Sequence, residues 1–319
     1  MSGLHRVWLL RGMGWLGLVA VLAGGAPATA AEPPPPPKRS DVERALAAAS
    51  EAAETSLRPL TVVLLADEKD HGPDEHDYPL WRARWALLLG GAEASSEAAV
   101  NLYGPDRVDP EQQEGAADVR VIRAHHWPDA DQWAAADLVA VFGYMPWNAE
   151  RLEEVERFLA RGGGLVLIHS ANWTRPEPSP EVAELTGSGG FQFWRHGEME
   201  IEIVAADHPI CRGLPATIRW VDEPYWPPTP LIDDERLTVL AVSRERIHPE
   251  QPAEGPQPQF WAYQQGEGRV FGCVPGHYVW TFDDPYFRIL LLRGMAWAAG
   301  TCPHRFDPLV LRGAAVADD

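Results

Sequence analysis

The chain has 319 residues, a formal net charge of −19, and a composition that is 45% hydrophobic and 23% charged. That is enough apolar material to bury the core of one large α/β domain or two small ones. The acidic balance argues against nucleic-acid backbones and anionic membrane surfaces as partners, and beyond the N-terminal segment no apolar run is long enough to span a bilayer.

Residues 1–30 read as a signal peptide. Arg6 and Arg11 precede an apolar core at 15–22, and Ala28-Thr29-Ala30 offers a small-x-small cleavage site. The expectation is an exported protein, periplasmic or extracellular, starting at Ala31 and not integrally inserted after cleavage. Residues 31–58 hold five prolines, Pro33 to Pro37, expected as a stiff extended spacer. Ser40-Asp41-Val42-Glu43 then has capping-box spacing before an alanine-rich helix running to about Leu57. With alanine on every face, that helix is expected to pack loosely beside the main domain, or not at all.

A main domain is expected over 59–300. Strands are expected at 60–66, 119–124, 138–142 and 165–168, alternating with helices that carry Trp81, Trp85, Leu88 and Leu89, and then Leu152, Val155, Phe158 and Leu159. Residues 90–118 are weakly patterned, a loop-rich insertion with a short strand at 100–102. Leu165-Val166-Leu167-Ile168 is apolar without alternation, which predicts a central strand buried on both faces. The series predicts an α/β fold, a mostly parallel sheet with helices on both faces. The second half adds strands at 199–204, 217–222 and 237–242, a proline-rich surface loop at 246–259, and a hairpin around Gly266-Glu267-Gly268. An amphipathic helix at 287–299, carrying Leu290, Leu291 and Met295, precedes a peripheral tail, 301–319.

In such a sheet, ligands bind beyond the carboxyl ends of the strands. His169, Glu223 and His277 each follow a predicted strand, so all three are candidates for one pocket. Two imidazoles and a carboxylate suit zinc or a similar divalent ion, metal-free general acid–base chemistry, or a buried pair that only fixes loops. His71 and His76, in the loop after the first strand, reach the same rim and stand in reserve. His208 is excluded, because Asp207-His208-Pro209-Ile210 reads as a turn. Of the fourteen tryptophans, Trp194 or Trp226 is expected to wall the pocket, and Trp173 and Trp280 lie nearby in sequence. Their flat amphipathic rings suit a saccharide.

Several segments together resemble the ThuA-like (trehalose utilisation) family: Gly162-Gly163-Gly164 to His169, Asp207-His208-Pro209-Ile210 to Gly213-Leu214, Asp222-Glu223-Pro224-Tyr225, Gly268-Arg269-Val270-Phe271, Pro275-Gly276-His277, and Arg293 to Gly300. The resemblance implies a class I glutamine amidotransferase-like fold, flavodoxin-like with added strands, and a link to trehalose and oxidised (3-keto) sugars. Amidotransferases place a nucleophilic cysteine on the turn after the central strand. Here that turn reads Ile168-His169-Ser170-Ala171, so glutaminase activity is rejected. His248-Pro249-Glu250 imitates the amidotransferase His-x-Glu only by coincidence, and Ser170 lacks the Gly-x-Ser-x-Gly context of a hydrolase nucleophile. Cys211, Cys273 and Cys302 allow one disulfide whose pairing the sequence does not choose. Two function classes stay open: a sugar-modifying hydrolase, lyase or isomerase, and a non-catalytic carbohydrate-binding or accessory protein. The oligomeric state is open as well.

Overall fold

The computed structural model describes residues 31–48, 57–91, 114–248 and 250–319. The expected signal peptide and the strand expected at 100–102 lie outside the described residues. In chain order the elements are α1 (Arg39–Ala47), β1 (Leu60–Ala66), α2 (Tyr78–Gly90), β2 (Val119–His125), α3 (Ala130–Ala135), β3 (Leu138–Phe142), α4 (Ala149–Ala160) and β4 (Gly164–Ile168). There follow α5 (Pro180–Thr186), β5 (Phe191–Trp194), β6 (Gly197–Ile203), β7 (Thr217–Asp222), β8 (Tyr225–Pro228), β9 (Leu237–Arg246), β10 (Glu254–Gln265), β11 (Gly268–Cys273) and α6 (Pro285–Ala298).

Nine strands form one sheet in the order β2-β1-β3-β4-β11-β10-β9-β6-β7, and β5 pairs with β8 separately. The first five are mutually parallel, the flavodoxin-like order, and the rest are antiparallel additions. β4 lies between β3 and β11, and each of its residues is buried. Its unalternated sequence is explained by two apolar layers. Val166 and Ile168 pack with Trp81, Trp85 and Phe287 on one face, and Leu165 and Leu167 with Val155, Phe158 and Leu159 on the other.

Strand direction decides where chemistry gathers. β1, β4 and β11 run one way, and the antiparallel alternation through β10, β9 and β6 turns β7 that way again. Four carboxyl ends therefore share a rim, and the residues just before β6 join them.

Several expectations from the sequence are corrected. The capping box does not form: α1 begins at Arg39, one residue before Ser40, and its N-cap Lys38 makes no side-chain cap bond. The helix is also not loose, since Val42 and Ala45 are buried in the main core. The prolines are docked rather than spacing: Pro37 O accepts from Ala317 N, and Pro33, Pro34 and Pro36 line a groove with Trp220, Trp280 and Asp283. The expected loop 246–259 shortens to the connection between β9 and β10, which pair out to Arg246 and Glu254, so that its second half is strand. Pro256 and Pro258 are tolerated because β11 begins pairing only at Phe260, which leaves their stretch of β10 with a single neighbour in the sheet. α6 is buried almost all round rather than amphipathic. The tail causes this by packing over it: Phe306, Leu309 and Val310 are buried, and Arg293 pairs with Asp307 at 2.9 Å.

Candidate functional site

His169 opens a 3-10 turn, His169–Asn172, directly after β4 and takes φ 52°, a left-handed conformation that non-glycine residues rarely adopt. Asn172 holds the turn closed, with Nδ2 donating to the carbonyls of Leu167 (3.0 Å), His169 (3.3 Å) and Cys273 (2.9 Å). His76, in the loop after β1, is strained in the same sense at φ 42°, and its N–H donates to His277 O at 2.9 Å. Glu223 follows β7, and His277 lies in the loop after β11.

All four side chains are buried, and one donor atom from each lies within 4.8 Å of the others. His76 Nε2 is 2.9 Å from His169 Nε2 and 3.0 Å from His277 Nδ1. Glu223 Oε2 is 3.1 Å from His169 Nε2 and 3.0 Å from His277 Nδ1. Tyr225 OH sits 2.8 Å from His169 Nε2 and 3.2 Å from Glu223 Oε2. The other carboxylate oxygen, Glu223 Oε1, lies 3.1 Å from Nε2 of His196, which is half exposed.

The outer contacts fix the tautomers. Val274 O, 2.7 Å from His169 Nδ1, can only accept, so Nδ1 carries the proton and Nε2 presents a lone pair. Asp70 Oδ1 lies 2.9 Å from His76 Nδ1. Burial pushes the Asp70 carboxyl up, but hydrogen bonds with His76 and His71 outweigh it and hold Asp70 well below the ordinary carboxylate range. Asp70 therefore accepts, and His76 Nε2 is bare as well. Burial is the largest cause lowering His76 to about 3, so it stays neutral near neutral pH. At 2.9 Å the two nitrogens share a single positive centre, either a proton on His169 Nε2 facing the Glu223 carboxylate or a bound metal ion. Burial also pushes Glu223 up, yet hydrogen bonds and charge from His169 and His277 hold it far below its usual range, ionised. Three imidazole nitrogens and an ionised carboxylate, with a carboxylate and a carbonyl orienting two of the rings, form a donor set that fits zinc or a similar divalent ion.

Beside the cluster a cavity of about 270 Å³ is lined by Asp70, His71, Tyr144, Ser170, Trp173, Arg175, Trp194 and Tyr225, with His76 and Glu223 at its base. Trp173 and Trp194 meet edge to face, with ring centres 5.7 Å apart at 88°, and Trp194 is 56% exposed.

His169, Glu223 and His277, picked from sequence, are brought together. His76, held in reserve, joins them as a fourth donor, and His71 stops at the cavity wall, 2.7 Å from Asp70. Of the two tryptophans, Trp194 lines the cavity and Trp226 does not. On β8 neighbouring side chains face opposite ways, so Tyr225 takes the cavity and Trp226 packs toward Phe193, 6.0 Å away between ring centres. Ser170 Oγ bonds Tyr78 OH at 3.0 Å rather than a general base. His248 packs against Phe193, and all three cysteines are free thiols. Sequence reasoning missed Tyr225, Asp70 and His196. Tyr225 was legible two residues beyond Glu223, whereas His196 carried no signal.

The fold and the family agree. The structure resembles a ThuA-like protein from Bacteroides uniformis, with TM-score 0.55 and 15% identity over 80% of this chain and 99% of that one. A ThuA-like protein from Parabacteroides merdae gives TM-score 0.48 and 19% identity over 77% of this chain and 92% of that one. No curated protein matches the chain. A family model described as ThuA, trehalose utilisation, matches residues 92–298, a span that runs from before β2 to the end of α6 and includes His169, Glu223 and His277. By that match over more than half its length, the chain belongs to the ThuA (trehalose utilisation) family.

Proposed function

We propose that this protein is an exported enzyme acting on a saccharide or oxidised (3-keto) saccharide, with a divalent cation such as zinc held by His76, His169, His277 and Glu223. The observation that carries the reading is the convergence of four buried donor atoms, from His76, His169, His277 and Glu223, within 4.8 Å of one another. His76 is lowered to about 3, chiefly by burial, so its Nε2 is available as a ligand atom near neutral pH. The family's trehalose-utilisation context and the aromatic cavity support a sugar as the substrate. Residues 1–30, with their basic start and Ala28-Thr29-Ala30, support export.

When bound, the cation supplies Lewis-acid polarisation of a sugar oxygen. The chain's own residues do the rest. Tyr225 is pushed well above its ordinary value, chiefly by burial and then by the Glu223 charge, so its hydroxyl keeps its proton and donates it toward oxygen charge developing beside His169. Glu223 Oε1, bonded to the half-exposed His196, connects the buried centre to solvent. Trp173 and Trp194 offer apolar faces to the sugar's C–H surface and exclude water from that side.

Metal analysis of the purified mature protein should find one zinc equivalent per chain, lost in His169→Ala and Glu223→Ala. Turnover of trehalose and 3-keto sugars should vanish in both variants while saccharide affinity survives. Loss of affinity with no turnover ever detected would instead make this a carbohydrate-binding protein. A wild-type protein that holds no divalent metal would sink the metal assignment.

A further inference from the structure

Asp222, the last residue of β7, is completely buried, and its carboxylate bonds to backbone from two distant parts of the chain. Oδ1 accepts from Glu223 N at 2.7 Å, Gly276 N at 3.0 Å and His277 N at 3.0 Å. Thr281 Oγ1 donates to Oδ2. The strand order makes this convergence unexpected. Four inter-strand steps separate β11 from β7, about 19 Å in a flat sheet. Register shifts in β10 at Pro258/Phe260 and Phe260/Trp261 mark bulges, which bend a sheet and increase its twist. The edge strand and the loop after β11 then meet, joined by the Asp222 carboxylate and by Trp280 Nε1 donating to Val221 O at 3.2 Å.

We propose that Asp222 is the positioning residue of the cluster, one carboxylate that fixes Glu223 and His277 relative to each other through their own backbone N–H groups. The inference rests on reading the four-residue cluster as the functional site. Asp222 itself touches none of the donor atoms. It holds the peptides that carry two of them, so that Glu223 Oε2 and His277 Nδ1 arrive 3.0 Å apart. Gly276 permits the approach. It takes φ 143°, and a Cβ there would press on His169 Cβ, Ile168 Cγ2 and Phe282 Cζ, each at 3.3 Å. One carboxylate oxygen accepting three N–H bonds is a strong clamp, because hydrogen bonds are stronger in a buried, low-dielectric site than in water.

The test uses the full chain after chelator treatment, comparing wild type with Asp222→Ala, Asp222→Asn and Thr281→Val. Histidine carbethoxylation by diethyl pyrocarbonate is followed residue by residue, with His208, a turn histidine beside Trp297, as internal reference. In Asp222→Ala, His277 should label about tenfold faster relative to His208, because its peptide is released. Asp222→Asn keeps an acceptor oxygen for the three N–H groups and should stay within about twofold of wild type. Thr281→Val removes only the hydroxyl donor and should accelerate His277 about threefold, which answers the question if the alanine variant does not fold. Zinc affinity should fall about 10- to 100-fold in Asp222→Ala and be rescued by Asn. If His277 and His208 change in parallel in every variant, Asp222 is a general stability residue and the proposal is overturned. A wild type that fails to bind zinc removes the metal reading alone, while selective labelling of His277 in the same samples still establishes the clamp.

Discussion

His169 is held in a left-handed backbone conformation, φ 52°, at the end of the central strand. For a residue with a Cβ this costs about 1–2 kcal/mol, and the fold tolerates it because Asn172 ties three surrounding carbonyls. The strain aims the imidazole into the cluster instead of along the strand. Replacement should reveal it. His169→Ala keeps the strain and loses the hydrogen bonds, whereas His169→Gly relieves the strain. The glycine variant should therefore be more stable than the alanine variant by about 1 kcal/mol, read by urea unfolding, with both devoid of zinc. Equal stability of the two would mean that the turn is not strained. At this scale the sequence showed the residue types and their strand-end positions. It did not show Asp70 behind His76 or Tyr225 over His169, because those contacts join residues from separate loops.

At the level of elements, α6 and the tail that covers it act together. Arg293 is fully buried and bonded to both Asp307 oxygens at 2.9 Å, and it also donates to the carbonyls of Ile210 and Arg212. Arg293→Ala should cost about 3–5 kcal/mol, since it empties a fully buried position, leaves the carbonyls of Ile210 and Arg212 without their donor and leaves the half-buried Asp307 with His304 alone. Arg293→Met combined with Asp307→Leu should recover most of that loss in thermal unfolding. Between the tail and α6, Asp283 offers a second readout. Burial, the largest effect, pushes its carboxyl up from 3.8 to about 7, against the opposing charges of Arg288 and Arg84. Because the folded value lies above the unfolded one, the stability linked to this proton is complete below about pH 4 and is lost as pH rises through 7. Asp283→Asn should raise Tm by a few degrees at pH 8 and leave it nearly unchanged at pH 4. A constant difference across that range would rule the assignment out. The helical pattern of 287–299 was legible, but its burial on nearly every side was not. Periodicity reports the strongest apolar stripe, and here a second layer, folded back from the tail, covers the other one.

For the whole molecule, metal and export give separate measurements. With zinc at a hundredfold excess over Kd, the native state should gain about 2.7 kcal/mol, seen as a rise of several degrees in Tm that EDTA reverses and that is absent in the His169 variants. Intact mass of the exported protein should place the mature N-terminus at or next to Ala31, and a mass including residues 1–30 would point to an uncleaved anchor. The sequence by itself determined four strands of the parallel core, while the fifth, β11, was legible only as one arm of a hairpin. Runs such as 138–142 and 165–168 have no polar face to offer water, so they can lie only inside a sheet covered on both sides. It also determined which strand ends carry His169, Glu223 and His277. The tertiary structure alone decided that these ends meet, that His76 completes the set, and that the prolines and the tail are packed parts of the body. The physical reason is range: periodicity and turn chemistry act over a few residues, while the coiling of the antiparallel strands closes contacts as distant as Asp222 and His277.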